Sequence, residues 1–220
     1  MLTIDRITKT FPLRGMVLDE LSLVVSPGDL ISVMGPSGSG KTTLLNIAGL
    51  LDKPDKGSVL FQGKDISALN DNESADYRNK NIGFVFQEHM LLPQLTVYEN
   101  ILLPLLASGR MKKESSKEHL EILMEKTGIS DISLKYPHQI SGGEAQRTAL
   151  LRALVNKPSI ILADEPTGSL DTMNAGILGN LLIEINNTLG TTIILATHSE
   201  ELAGKMHRRF RLESGKLVQL

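Results

Sequence analysis

The sequence predicts an α/β protein, with a parallel sheet wound by helices, a small antiparallel β layer and an inserted helical segment. Three observations carry this expectation. Apolar runs of strand length, Leu30–Met34, Ser159–Ala163 and Thr192–Ala196, each lead into a stretch with helical patterning. Early segments instead alternate, with Leu2, Ile4 and Ile7 apolar against Thr3, Asp5 and Thr8, as half-buried strands do. From Gln87 to about Asn156 the texture turns mainly helical.

In chain order, Leu21–Val25 reads as a second strand, and Pro27-Gly28-Asp29 as the turn into Leu30–Met34. A helix over Thr43–Leu51 ends at the breaker Asp52–Gly57, and Ser58–Phe61 pairs through a turn at Gln62-Gly63. The polar stretch Ala68–Asn81 is a helix, followed by a buried strand at Ile82–Phe86. The helical region holds Leu95–Leu106 with a kink at Pro104, an amphipathic helix Lys112–Lys126 with a solvated Lys/Glu face, and Gly142–Asn156. Helix Thr172–Leu189 closes at Gly190, a short helix starts at Ser199, and strands Arg209–Leu212 and Lys216–Gln219 end the chain. No internal repeat or low-complexity segment interrupts this order.

Composition narrows the function classes. With 220 residues, 41% hydrophobic and 22% charged, the chain suits one sizeable globular domain. A net charge of −2 gives no support to a nucleic-acid partner, since phosphate-backbone binding leaves a basic footprint. Without cysteine there is no disulfide and no thiolate metal site. No targeting segment opens the chain, and the apolar stretch Met90–Leu106 is broken by Pro93, Gln94, Glu99, Asn100 and Pro104. Any work at a membrane therefore goes through a partner.

The stretch Gly35-Pro36-Ser37-Gly38-Ser39-Gly40-Lys41-Thr42 has the spacing G-x-x-x-x-G-K-[ST] between an apolar strand and a helix. Its glycines let backbone N–H groups converge on one concavity, and the helix N-terminus behind adds positive potential. Lys41 reaches β- and γ-phosphates as a point charge, and the Thr42 hydroxyl takes a place on Mg²⁺. The pattern is that of a nucleoside triphosphate site.

Two further constellations accompany it. Asp164 and Glu165 stand at the C-terminal end of the run Ile160–Ala163, the edge where open α/β sheets bind ligands. Paired carboxylates there are costly to desolvate without a cation, which makes Asp164 a Mg²⁺ partner and Glu165 a group that polarises the attacking water. Ser141-Gly142-Gly143-Glu144 reads as a capping box, but two glycines in a first helical turn cost about 1 kcal/mol each against alanine. Such bare amides suit close approach by phosphate. Either the chain binds two nucleotides, or two copies share them.

Together these residues resemble the nucleotide-binding subunit of an ATP-binding cassette (ABC) transporter, over essentially the whole chain. Gly35–Thr42 is similar to Walker A, Gln87 to the Q-loop, Ser141–Glu144 to the signature, and Asp164-Glu165 to Walker B. Ser169-Leu170-Asp171 resembles the D-loop and His198 the switch histidine. Ile140 and Ala145 stand where the usual signature has Leu and Gln, and Thr148 and Leu151 where Val and Ala are commoner. The resemblance implies a P-loop NTPase (RecA-like) core of residues 1–87 and 157–220 with a helical subdomain at 88–156, all one ABC ATPase domain.

It also implies the site. ATP lies with its adenine on Phe11, which otherwise is a core residue of the small layer. Its phosphates lie on the backbone of Gly35, Pro36, Ser37, Gly38, Ser39, Gly40, Lys41, Thr42 and Thr43. Thr42, Gln87 and Asp164 hold Mg²⁺. Glu165, His198, Lys41 and Gln87 act in catalysis, while Ser141, Gly142, Gly143 and Asp171 of a second copy complete each site in a head-to-tail homodimer. His89, His119, His138 and His207 have no such role. A membrane permease docks on Met90, Leu91, Leu92 and Tyr98, unless these are helical-lobe core, and places the chain on the cytoplasmic face of the inner membrane.

A finer resemblance, in Leu51–Pro54, Ile82–Gln87, Leu91–Pro93 and Leu95–Asn100, is to the lipoprotein-releasing and macrolide-exporter group. The cell-division ATPase paired with a similar permease is close. Export, lipoprotein release or mechanotransmission is the expected function, with a non-transporting regulatory subunit or an importer's ATPase as alternatives. A soluble ATPase of translation or DNA repair is disfavoured, because Gln87 to Ser141 is too short for a coiled-coil insertion.

Overall fold

A computed structural model of the chain describes residues 1–107 and 114–220. It opens with β1 (Leu2–Phe11), β2 (Gly15–Val25), β3 (Leu30–Met34), α1 (Lys41–Ala48), β4 (Lys56–Phe61) and β5 (Lys64–Asp65). Next come α2 (Asp71–Asn81), β6 (Ile82–Val85), α3 (Val97–Ala107), α4 (Glu114–Lys126) and α5 (Gly142–Leu154). The chain finishes with β7 (Ile160–Asp164), α6 (Thr172–Leu189), β8 (Thr192–Ala196), α7 (Glu200–Gly204), β9 (Arg208–Glu213) and β10 (Lys216–Gln219).

The strands form two sheets. One is antiparallel, in the order β2-β1-β4-β5, and the other runs β10-β9-β3-β8-β7-β6. In the second, β9, β3, β8, β7 and β6 are parallel and only β10 turns back. Its central strands are buried on both faces, and their side chains alternate between two cores. Ile31, Val33, Ile160, Leu162 and Ile194 point to α1 and the antiparallel sheet, while Leu30, Ile161, Ala163, Ile193 and Leu195 point to the helical side. Each such valine, leucine or isoleucine contributes about 1.5–3 kcal/mol by leaving water.

Several boundaries move from the sequence expectation, for local reasons. β2 starts at Gly15 rather than Leu21, because it pairs with β1 up to Phe11↔Gly15. α1 starts two residues early at Lys41 and ends at Ala48, before Gly49. α2 begins only at Asp71, where Asn70 and Glu73 form a reciprocal capping box. α3 begins at Val97 behind Thr96 and Glu99, which bond each other's backbone N–H groups, and it runs past Pro104 to Ala107. α5 stops at Leu154, and β6 at Val85. The expected helix start at Lys112 lies outside the described residues.

The parallel sheet decides where chemistry can happen. The segments after β3, β8, β7 and β6 all leave the same edge of the sheet, and these strands are neighbours in that order. That edge therefore gathers Gly35–Gly40, His198, Asp164-Glu165 and Gln87.

Candidate active site

The loop after β3 ends in Gly40, which caps α1 in a left-handed conformation (φ 107°) with no side chain to bond the first-turn amides. A Cβ there would lie 2.8 Å from Val17, so the position admits only glycine on two counts. Lys41, 8% exposed, turns back under the loop. Its Nζ donates to the Gly35 carbonyl at 2.8 Å and the Pro36 carbonyl at 3.3 Å, and sits 3.5 Å from Glu165 Oε1.

Across the edge, Glu165 Oε2 accepts from the His198 backbone N–H at 3.1 Å and lies 2.8 Å from His198 Nδ1. A carboxylate acceptor places the imidazole proton on Nδ1 and leaves Nε2 free to accept. Glu165 is held by its own N–H, which donates to Ala196 at 2.9 Å, and its φ of 46° is rare for a non-glycine residue. Glu165 is mostly buried and His198 mostly exposed, so the pair presents a shielded charge behind an accessible ring.

Asp164 sits deeper. Burial pushes its carboxyl above the ordinary range; the Thr42 hydroxyl hydrogen bond works against this, Glu165 adds to the rise and Lys41 opposes it. Its Oδ1 is buried with no hydrogen-bond partner. An orphaned carboxylate oxygen beside the Thr42 hydroxyl fits a hard divalent cation.

These groups share one cavity of about 460 Å³. Its floor and walls include Ser37, Gly38, Gly40, Lys41, Thr42 and Thr43 from the loop and α1. Gln87, Asp164, Glu165 and His198 line it from the other strands, and Phe11 from the end of β1. The Lys9 ammonium, itself paired with Asp52 at 2.8 Å, stands 5.4 Å from the Phe11 ring centroid. Gly35, Pro36 and Ser39 support the loop without lining the cavity. Arg14 and Val17 do line it, and the sequence reading missed both. The one available signal was a cation three residues after Phe11, beside the turn glycine Gly15.

Ser141, Gly142, Gly143 and Asp171 do not line the cavity. Ser141 and Glu144 form the expected capping box, with the Ser141 N–H at 2.7 Å and its hydroxyl at 2.8 Å from Glu144 Oε2. These bonds hold the Glu144 carboxyl below its usual range. Gly143 has an internal reason beyond phosphate, since a Cβ would collide with Asn174 of α6. Asp171 caps α6, accepting from the Asn174 N–H at 2.9 Å and its amide at 2.7 Å, which lowers its pKa. The docking patch divides: Leu91 packs on Ala145 and Ala149 and Tyr98 on the main core, while Met90 and Leu92 are exposed.

A P-loop at a parallel sheet edge, a shielded glutamate–histidine pair and an orphaned aspartate define a nucleoside triphosphatase. The family model described as ABC transporter matches residues 18–168, and the chain belongs to this family. It is an ATP-binding, ATP-hydrolysing subunit of an ABC transporter. The lipoprotein-releasing system ATP-binding protein LolD 1 of Rhodopirellula baltica is 45% identical, covering 100% of this chain and 96% of its own. The LolD protein of Bacteroides thetaiotaomicron is 43% identical over 99% of both. A solved dimer of the ATP-binding cassette MJ0796, in a post-hydrolysis state with ADP and Pi, superposes with a TM-score of 0.89 at 35% identity. That match covers 100% of this chain and 98% of the other.

Proposed function

We propose that the cavity is a half-site for ATP, and that its hydrolysis drives a membrane permease in lipoprotein release or related export. One observation carries the site reading: Lys41, Glu165 and His198 form a contiguous chain in one cavity with the P-loop. The adenine stacks on Phe11, and the phosphates lie on the backbone from Gly35 to Thr43. Lys41 then exchanges its carbonyl partners for β- and γ-oxygens. Thr42, Asp164 and Gln87 would hold Mg²⁺, which neutralises phosphate charge when bound. Glu165 orients and polarises the attacking water, and His198 orders Glu165 through Nδ1 while its Nε2 accepts from that water. Catalysis of this kind is positioning and charge stabilisation.

The signature residues Ser141, Gly142 and Gly143, with Asp171, complete the site of a second copy. Their place outside the cavity, and the dimeric state of the MJ0796 cassette, support this arrangement. Residues 1–87 and 157–220 act as the nucleotide-binding core and 88–156 as the helical subdomain. The permease docks near exposed Met90 and Leu92, beside a groove of about 420 Å³ between α2, α3 and α5. The chain works peripherally, at the cytoplasmic face of the inner membrane. Its described helices include none long and apolar enough to cross a bilayer, in keeping with a partner that does. The names of the relatives favour lipoprotein release over import.

The test is Glu165→Gln. ATP binding persists, phosphate release falls by roughly 100-fold or more, and an ATP-bound dimer accumulates on size exclusion. Unchanged turnover removes Glu165 from the catalytic role.

A further inference from the structure

The segment from Phe86 to Met90 carries Gln87 into the cavity, and its backbone is held in an unusual way. Four of its five carbonyls accept from side chains. Gln146 Nε2 donates to Phe86 at 2.7 Å, Ser169 Oγ to Gln87 at 3.3 Å, and the two terminal nitrogens of Arg152 to His89 at 2.7 Å and Met90 at 2.6 Å. Met90 is a non-glycine residue at φ 48°, a conformation that needs support from its surroundings. Gly168 leaves room for the Gln87 amide, since a Cβ there would sit 3.2 Å from Nε2.

Three of these four bonds come from α5. Ala145, Gln146, Ala149 and Arg152 fall on one stripe of that helix, at i, i+1, i+4 and i+7. The two alanines pack on Leu91, and the two polar residues grip the carbonyls before it. Gln146 is 1% exposed, so its amide is committed to this contact. The Arg152 guanidinium is a rigid fork, and it reaches two successive carbonyls as one unit. The same helix begins at Ser141.

We propose that Gln146 and Arg152 are positioning residues for Gln87, presenting it to the ATP cavity from α5. The inference rests on the reading of Gln87 as a γ-phosphate and Mg²⁺ contact. The two residues touch neither nucleotide nor reacting water. They fix the backbone from which Gln87 reaches them, so that a shift of α5 and a shift of Gln87 are one movement.

Phosphate release by the purified full chain tests this in a double-mutant cycle. Arg152→Ala lowers kcat about tenfold while KM for ATP stays within about twofold. In a Gln87→Ala background the same change adds less than about twofold, because a residue acting through Gln87 has nothing left to position. Arg152→Lys restores only part of the rate, as a flexible ammonium lacks the rigid fork that holds both carbonyls at once. Gln146→Met keeps the volume, removes the donor, and gives the same pattern even where Arg152→Ala does not fold. Losses that multiply in the Gln87→Ala background, or a rise in KM with kcat intact, overturn the proposal. A wild-type rate for Gln87→Ala itself instead overturns the reading of Gln87, which separates the two failures.

Discussion

Two helices in this chain begin with glycine and serine near phosphate-binding motifs, and they solve their N-termini in opposite ways. α1 is capped by left-handed Gly40, whose missing side chain leaves the first-turn amides facing the cavity. α5 is capped by Ser141, which satisfies and is satisfied by Glu144 within the chain. A helix end that provides no cap depends on a ligand for its amides; one that closes a full box stands without it. The first cradle thus leaves its amides open to a phosphate, while the second already has partners within the chain. The Ser141 hydroxyl donates to Glu144 Oε2, and under the proposed sharing between copies it would turn to the incoming phosphate.

The comparison breaks most severely at Ser141. Ser141→Arg places a bulky cation where a second copy's phosphate would approach. Hydrolysis falls by roughly 100-fold or more, while nucleotide binding to the mutated chain's own cavity persists. In mixed dimers, the site formed by the wild-type Walker A and the mutated signature is the one that fails. Failure of the mutated chain's own Walker A site alone refutes sharing between copies.

Asp164 sharpens the first cradle. Its carboxyl is buried, with Oδ1 unpartnered, and burial raises its pKa, so the charged form costs stability in the nucleotide-free fold. Asp164→Asn removes that charge. The nucleotide-free protein melts about 2–4 °C higher at pH 7, corresponding to about 1 kcal/mol, while Mg²⁺-dependent turnover falls about tenfold or more. Thermal melts with and without Mg²⁺ check both halves, and lower stability without ligand removes the argument from burial.

The same contrast explains what the sequence reveals and conceals. β3, β7 and β8 are legible because runs such as Ile160–Ala163 are buried on both faces and need no knowledge of neighbours. The sheet edge follows from them, and so do Gly35–Thr43, Asp164, Glu165 and His198. Capping boxes are equally local, as Ser141 and Glu144 show. Contacts across sequence distance are not legible. Leu91 and Leu92 are chemically alike, yet one packs on α5 and the other faces solvent, a difference decided by the helix beneath them. Nor does the sequence show that Gly143 is also held to glycine by Asn174, far along the chain, which a Cβ would strike. Arg14 enters the cavity because β2 extends back to Gly15 and folds the hairpin over the loop. None of these leaves a periodic or spaced trace.

Glu144 carries the smallest effect and divides the two roles of the second cradle most cleanly. Its carboxylate accepts from the Ser141 N–H and hydroxyl, and those bonds lower its pKa, so it stays ionised through the neutral range. Because the folded pKa lies below the unfolded value, the stability it lends is complete above about pH 4.5 and is lost as pH falls through the folded pKa. Glu144→Ala should cost about 1 kcal/mol at pH 7, by analogy with the loss of a cap, with the difference from wild type vanishing in acid. Glu144→Gln keeps an acceptor for the Ser141 N–H but removes a negative charge beside the place where phosphate must come. It should melt within about 0.5 kcal/mol of wild type and associate with a second copy at a few-fold lower ATP concentration. Equal ATP dependence in the two proteins would mean that the phosphate never comes near Glu144, and that α5 is only a well-capped helix.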